Sequence, residues 1–451
     1  MLTRERLRRP TVTQLFFDRP ETGQRAVLVH VRFSQLEELE EIGEFEELVR
    51  SADIEQLALL VARRKRPDAH SFIGSGKLAE LQALLTSHAA DMAVFDHDLT
   101  PSQQRNIETE LKCRVVTRTE LILYIFAARA RTHEGQLQVE LAQLRHAQTR
   151  LVRGWTHLDR QKGGIGLRGA GETQIEMDQR ILAERVRAID KRLEKVRKQR
   201  EQGRRARQRA DVATVALVGY TNAGKSTLFN TLTQAHVLAQ DRLFATLDPT
   251  LRKLALPGLG DVVLADTVGF IRQLPHSLVE AFKATLEEVS QADLLLHVID
   301  ATMHGNEERT KQVHAVLAEI GAEQQPLLEV YNKIDLVNEP ARIDRGEHGE
   351  PTAVWLSAKR GDGIDLLVAA ITERLGVNSP TLRVILSPTA GKTRSWLYRM
   401  GAVLDEQASD DGGTELTVRL NAQSLARLAS QPGVLLPGSR GVHRISPSPG
   451  P

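Results

Sequence analysis

The run Gly219-Tyr220-Thr221-Asn222-Ala223-Gly224-Lys225-Ser226 has the G-x-x-x-x-G-K-S spacing of a phosphate-binding loop. It follows an almost continuous apolar stretch, 212–218, and leads into Thr227-Leu-Phe-Asn-Thr-Leu232, so it joins a buried strand to a helix, as the motif requires. Its glycines let backbone N–H groups wrap phosphate oxygens, and the helix start adds its positive end. Lys225 reaches the β- and γ-phosphate oxygens, and Ser226 is placed to hold Mg2+. The loop alone does not separate ATP from GTP.

Four further segments complete the reading. Asn332-Lys333-Ile334-Asp335 closes the apolar run 327–331, where the Asp335 carboxylate accepts two hydrogen bonds from guanine N1 and N2 that adenine cannot supply. Ser357-Ala358-Lys359 is expected to support the base through backbone amides. Asp266-Thr267-Val268-Gly269 ends the strand 261–265; Asp266 is placed to hold Mg2+ through water, and the Gly269 amide to sense the γ-phosphate. Phe244-Ala245-Thr246-Leu247-Asp248 supplies Thr246 as the switch residue that completes the metal's coordination. In this order the segments form a five-part GTP-binding signature. All are candidate nucleotide-binding residues. Lys225, Thr246 and Gly269 are assigned to hydrolysis, and Ser226 and Thr246 to direct metal ligation.

One departure bears on rate. Where Ras-like enzymes place a water-orienting glutamine after D-x-x-G, this chain has Phe270. An apolar ring cannot orient water, so intrinsic hydrolysis is expected to be slow and to need a partner. Asn222 has two readings: its side-chain oxygen helps seat K+ beside the β- and γ-phosphates, or it braces the Thr246 segment.

The elements that must position these residues span 451 residues, enough for roughly three domains. Hydrophobic content of 41% with 26% charged residues excludes a wholly disordered chain, and a net charge of +2 moves any basic signal to local segments. The one cysteine, Cys113, rules out an internal disulfide and fits a reducing compartment. No apolar run approaches the roughly 18 residues that span a bilayer, and Met1–Arg9 lacks a signal-peptide core. The expectation is a cytoplasmic monomer, without stable membrane insertion and with at most a peripheral membrane-associated fraction. The fold class is α/β. After a tail, 1–20, strands near 26–31, 57–61, 91–95 and 113–117 alternate with helices in a small parallel domain, 21–131. Seven glutamates between Glu37 and Glu47 read as a solvated helix face. The nucleotide domain, 210–377, should hold a parallel sheet with helices on both faces. A small α+β domain, 378–436, and a disordered tail, 437–451, follow.

Between the first two domains, 132–209 carries two heptad patterns. Leu137, Leu141, Leu144 and Leu151 form one; Leu182, Val186, Ile189, Leu193 and Val196 form the other. They read as an antiparallel helical hairpin, or alternatively as two core helices of a compact domain. The glycine-rich segment 153–173 reads as its non-helical tip. Ten Lys/Arg against Glu194 and Glu201 fill 191–209, and the tip adds Arg150, Arg153, Arg160, Lys162 and Arg168 against Asp159. Two basic stretches on one hairpin favour phosphate-backbone binding.

The chain resembles the HflX family of the Obg–HflX group of GTPases. The resemblance runs over about 22–435 and includes Phe244–Thr250, Asp266–Arg272, His276–Phe282, Gly135–Leu144 and Gly163–Thr173. It implies GTP/GDP as ligand, binding to the 50S subunit, to 70S ribosomes and to rRNA, and GTP-dependent splitting of stalled ribosomes. Rivals are a subunit-assembly GTPase, a non-ribosomal regulatory GTP-binding protein, and an ATP-dependent RNA-remodelling activity. The last draws on Gly74-Ser75-Gly76-Lys77, read first as an RNA phosphate contact, next as a plain turn and last as an ATP site. His133, His146 and His157 lack metal-ligand spacing and read as surface or RNA-facing.

Overall fold

Buried β-branched runs and two threonine caps shape the first layer. The structure, a computed structural model, describes residues 23–33, 39–154, 170–209, 212–234, 242–257, 259–272, 286–302, 306–376, 381–399, 402–408, 413–420 and 422–436. Strands β1 (Arg25–Arg32), β2 (Glu55–Arg63), β3 (Met92–Phe95) and β4 (Arg114–Val116) form a parallel sheet in the order β2-β1-β3-β4. Helices α1 (Leu39–Ser51), α2 (Ser75–Ser87), α3 (Pro101–Leu111) and α4 (Arg118–Arg129) alternate with them. Thr100 and Thr117 open α3 and α4 with capping boxes, each hydroxyl accepting from the backbone N–H three residues on. This is the expected alternation, with each strand within two residues of its expected place.

The hairpin is α5 (His133–Gly154) and α6 (Ala170–Arg209). Leu137, Leu141 and Leu144 pack against Leu182 and Ile189, with Val186 and Leu193 beside them. The other face of α5 places Val139, Ala142 and Ala147 in a core shared with α4 and the nucleotide domain. Thus α5 is at once one arm of the helical hairpin and a core helix, with Leu137, Leu141 and Leu144 on one face and Val139, Ala142 and Ala147 on the other. Residues 155–169 of the expected tip lie outside the described residues. Helix nevertheless takes in Arg153 and Gly154 at one end and Ala170–Thr173 at the other, where a non-helical segment was expected. The i→i−4 ladder of a 40-residue helix carries Gly171 with it.

Next comes a seven-stranded sheet in the order β10-β11-β9-β8-β5-β7-β6. Its strands are β5 (Thr214–Gly219), β6 (Thr250–Leu256), β7 (Gly260–Asp266), β8 (Leu294–Asp300), β9 (Leu327–Asn332), β10 (Arg342–Arg345) and β11 (Pro351–Trp355). The interior is parallel as expected, but both edge pairs, β6/β7 and β10/β11, are antiparallel, so the sheet is mixed. Both follow short connections, which permit only hairpin pairing. Helices α7 (Lys225–Thr233), α8 (Asn306–Glu319), α9 (Ile334–Val337) and α10 (Ile364–Gly376) accompany it.

The last unit is an antiparallel sheet of β12 (Thr381–Leu386), β13 (Val403–Ala408), β14 (Thr414–Arg419) and β15 (Val434–Leu435), with α11 (Gly391–Arg399) and α12 (Ala422–Ala429). Trp396 lies on α11. Among the described residues, no helix is long and apolar enough to cross a membrane.

Candidate functional site: a phosphate loop gripped by two domains

The loop between β5 and α7 is shaped by what surrounds it. Gly219 (φ 141°) passes so close to β8 that a Cβ would lie 2.3 Å from the Val298 carbonyl oxygen. At Gly224 (φ 93°) a Cβ would lie 2.2 Å from Asn332 Nδ2. That amide donates to the Ala223 carbonyl at 2.9 Å, while Asn332 Oδ1 accepts from the Ala358 N–H at 2.9 Å. One buried asparagine therefore ties the phosphate loop to both base-side segments. The Ala358 amide, expected to support the base, is spent on Asn332. Ser357 instead acts through its hydroxyl, which donates to Asp335 Oδ1 at 2.7 Å and fixes that carboxylate. Lys333 pairs with Asp300 at 2.8 Å.

Lys225 is buried, and its Nζ donates to the carbonyls of Gly219 (3.0 Å) and Tyr220 (2.7 Å). Burial pushes its pKa down to about 8, against the pull of Asp266. Asp266 is pushed up by burial, opposed by hydrogen bonds from Ser226 and Thr246. Ser226 Oγ and Thr246 Oγ1 each lie 2.8 Å from Asp266 Oδ2 and 2.7 Å from each other. Asp266 Oδ1 is buried with no hydrogen-bond partner among the described residues. Two hydroxyls and an under-used carboxylate converge here. This hard oxygen set fits Mg2+.

The segment after Asp266 is bonded to the loop itself: Thr221 N–H donates to Phe270 O (2.7 Å), and Phe270 N–H to Gly219 O (3.1 Å). A Cβ on Gly269 would meet Thr221 Cγ2 at 2.8 Å and Lys225 Nζ at 2.9 Å, so this position admits no side chain. Phe270 is 2% exposed and belongs to the core shared with the N-terminal domain.

These parts line a cleft of about 510 Å³ that includes Thr221, Asn222, Gly224, Lys225, Ser226, Phe244, Ala245, Thr246, Thr267, Gly269, Asn332, Lys333, Asp335, Ala358 and Lys359. Other candidates do not reach it. Leu247, Val268 and Ile334 have buried side chains off the cleft. Gly219, Tyr220, Ala223, Asp266 and Ser357 act from behind the lining residues. Asp248 turns onto the hairpin instead, accepting from the Arg131 and Thr132 N–H groups and the Thr132 hydroxyl. Thr227, Arg242 and Leu336 line the cleft without having been expected there. Thr227 and Leu336 directly follow the motifs, so adjacency was an available signal. Arg242, paired with Asp53 at 2.8 Å, carried none.

Glu41, Glu44 and Glu47 do not sit on a solvated face, whereas Glu37 and Glu38 of the glutamate run lie outside the described residues. Glu44 is buried and takes the Tyr220 hydroxyl; that same hydroxyl oxygen accepts from the Arg272 N–H at 2.6 Å. Glu41 pairs with the Arg272 guanidinium, and Glu47 accepts from Asn222 Nδ2 at 2.9 Å. Arg118 joins Glu44 and Asp96 at 2.5 Å each and donates to the Arg272 carbonyl at 3.2 Å. Residues 41, 44 and 47 recur at helical spacing, so one face of α1 grips the loop and the segment after it. Asn222 is thus bonded to α1 and not to the Thr246 segment. His146 is also internal: it lies 3.7 Å from Glu120 and accepts from Arg150. His133 is exposed, and His157 lies outside the described residues. Gly74 heads α2 as a turn, its N–H bonded to Ser71 Oγ at 3.0 Å. Among the described residues no acid, histidine and cysteine groups gather into a metal cluster.

Comparison with known proteins matches 39–127 to the GTP-binding GTPase N-terminal family and 129–207 to its middle region. Residues 214–333 match the 50S ribosome-binding GTPase family and 343–437 the HflX C-terminal domain. The GTPase HflX of Escherichia coli (strain K12) is 55% identical over 423 residues, 93% of this chain and 99% of that one. The chain belongs to the HflX family. It is a GTP-hydrolysing P-loop enzyme of the 50S ribosome-binding GTPase family. Another HflX relative, from Magnetococcus marinus, is 46% identical over 86% of this chain and 90% of its own. A GTP-binding protein from Sulfolobus solfataricus, solved with GDP, aligns over 78% of this HflX-family chain and 99% of its own, at 24% identity and a TM-score of 0.41.

Proposed function

We propose that the protein is a GTP-driven switch that binds the large ribosomal subunit and its rRNA, is activated there, and splits stalled 70S ribosomes. The observation that carries the activation half is Phe270. Its ring is 2% exposed in the interdomain core, where a GTPase of the Ras type presents a water-orienting glutamine to the cleft. In this reading Lys225 neutralises the β- and γ-phosphates, the Gly269 amide meets the γ-phosphate, and Asp335 takes guanine N1 and N2. Ser226 and Thr246 hold Mg2+ with Asp266 behind them, and that ion draws charge from the transferred phosphoryl group. Asn222, which lines the cleft, is the proposed K+ side chain once its amide leaves Glu47.

Turnover of the isolated protein should be slow and should rise at least tenfold when purified 50S subunits are added. An unchanged rate refutes ribosome activation. Replacing K+ by Na+ in the same assay should lower the rate, and Asn222→Ala should remove the difference. Sedimentation of 70S ribosomes with GTP, GDP and a non-hydrolysable analogue then separates splitting from assembly: free subunits should accumulate with GTP and not with GDP.

A further inference from the structure

Asp248 ends the segment that carries Thr246, yet its carboxylate faces the root of the hairpin. Oδ2 accepts from the backbone N–H of Arg131 at 3.1 Å and of Thr132 at 2.9 Å, and Oδ1 from the Thr132 hydroxyl at 2.5 Å. Thr132 is also the cap of α5, its Oγ1 accepting from the Gly135 N–H at 3.0 Å. The carboxylate therefore satisfies donors at the positive end of a helix from a distant part of the chain. A Cβ at Gly135 would lie 2.1 Å from Asp248 Oδ1, so the contact demands glycine there.

The link is stiff at both ends. On the nucleotide side, Thr246 stands against Ser226 and Asp266, Leu247 is buried in the interdomain core, and Phe244 meets Phe126 edge-on at 4.6 Å. On the hairpin side, Glu134, in the first turn of α5, pairs with Arg200 of α6 at 2.7 Å, and the leucine seam continues from Leu137. Only Leu247, Asp248 and Pro249 separate Thr246 from strand β6, and Asp248 itself is hydrogen-bonded to the root of the lever formed by α5 and α6. Displacing Thr246 from Asp266 displaces Asp248, since two residues span too little chain to decouple them.

We propose that Asp248 is a positioning residue that couples Thr246 to the helical hairpin. The nucleotide state then sets the stance of the hairpin, and a partner that shifts the hairpin resets Thr246 by the same free energy. This rests on the metal-side role proposed above for Thr246.

The full-length protein tests it without a ribosome. Amide hydrogen exchange at Arg131 and Thr132 should differ at least several-fold between the GDP form and the form with a non-hydrolysable GTP analogue. Equal exchange in the two forms overturns the coupling. Gly135→Ala expels the carboxylate from the hairpin side and touches no cleft residue. It should erase the exchange difference while GDP, which has no γ-phosphate for the Thr246 segment to answer, binds within about twofold of the wild type. A retained difference overturns the proposal as well. Thr132→Val, which removes one donor to Asp248 and the α5 cap acceptor but keeps both backbone donors, is the second variant should the alanine protein fail to fold, and should reduce the difference. Subunit affinity forms a second arm: the GTP-to-GDP affinity ratio for 50S should collapse in Gly135→Ala. If the wild type binds no subunits at all, the ribosomal reading fails, while the exchange arm still decides the coupling.

Discussion

Lys225 carries a conflict that gives the site a pH dependence. Its ammonium is buried among carbonyls and held near a pKa of about 8, whereas an unfolded lysine titrates near 10.5. The unfolded chain therefore binds more protons between those values, and the stability of the nucleotide-free protein should rise with pH across that window. Phosphate binding needs the charged form. Nucleotide affinity should be level below about pH 8 and fall by up to tenfold per unit above it, until the higher pKa of the complex is reached. Calorimetric GDP titrations between about pH 7 and pH 9 check this, and a flat profile refutes it. On the base side, Ser357 fixes one oxygen of Asp335. Asp335→Asn turns an acceptor into a donor against the guanine amino group and should cost about 2–4 kcal/mol in GTP affinity, with a gain toward xanthosine nucleotides. Equal GTP binding in the variant would remove Asp335 from base recognition.

Among the elements, α1 is where composition misled. Seven glutamates in eleven positions read as a solvated face, because sequence shows a charge but not the cation waiting for it. Its partners, Arg118, Tyr220, Arg272 and Asn222, lie between 74 and 231 residues away along the chain. Local patterns were legible: strand 212–218 and the 4-3 spacing of the hairpin leucines both act over a short stretch of chain. The motif residues were legible for the same reason, since the cleft needs them adjacent. Asp248 and Leu247 share a motif with Thr246, but Leu247 is drawn into the interdomain core and Asp248 onto the donors at the root of the hairpin, contacts that lie far off along the chain. The edge strands' antiparallel pairing is likewise set by connection length rather than by composition. Tyr220 shows what the hidden contacts contribute. Tyr220→Phe removes a hydroxyl shared by Glu44 and the Arg272 N–H, and should cost about 1–3 kcal/mol of stability. The phosphate loop's backbone bonds to Phe270 remain, so GDP affinity should change only a few-fold. Denaturant unfolding with a GDP titration checks both, and an unchanged midpoint would show the network to be dispensable.

At the scale of the molecule, the basic hairpin divides into cations already used and cations still offered. Arg197 and Arg204 converge on Glu287 at 2.6 and 2.9 Å, and Arg200 pairs with Glu134. Three of the ten cations counted in 191–209 thus hold α6 to α5 and to the helical turn at 286–290. Arg187, Lys191 and Lys195 are exposed and recur every four residues, so they share one outward face of α6. A phosphate backbone approaching the hairpin meets these without breaking an internal pair. Replacing the three by Gln should leave the melting temperature and GTP affinity unchanged, because neither the leucine seam nor the cleft is touched. It should weaken 50S binding and lower the magnitude of its salt slope by up to about 2.7, at about 0.9 per lost phosphate contact. Replacing Arg197 and Arg204 by Gln should do the opposite: the melting temperature falls, since Glu287 is left beside the core without its partners, and the salt slope shifts little. Subunit affinity at several salt concentrations, with melting curves of both variants, decides the matter. An unchanged slope in the first variant would move the ribosomal contact off this face.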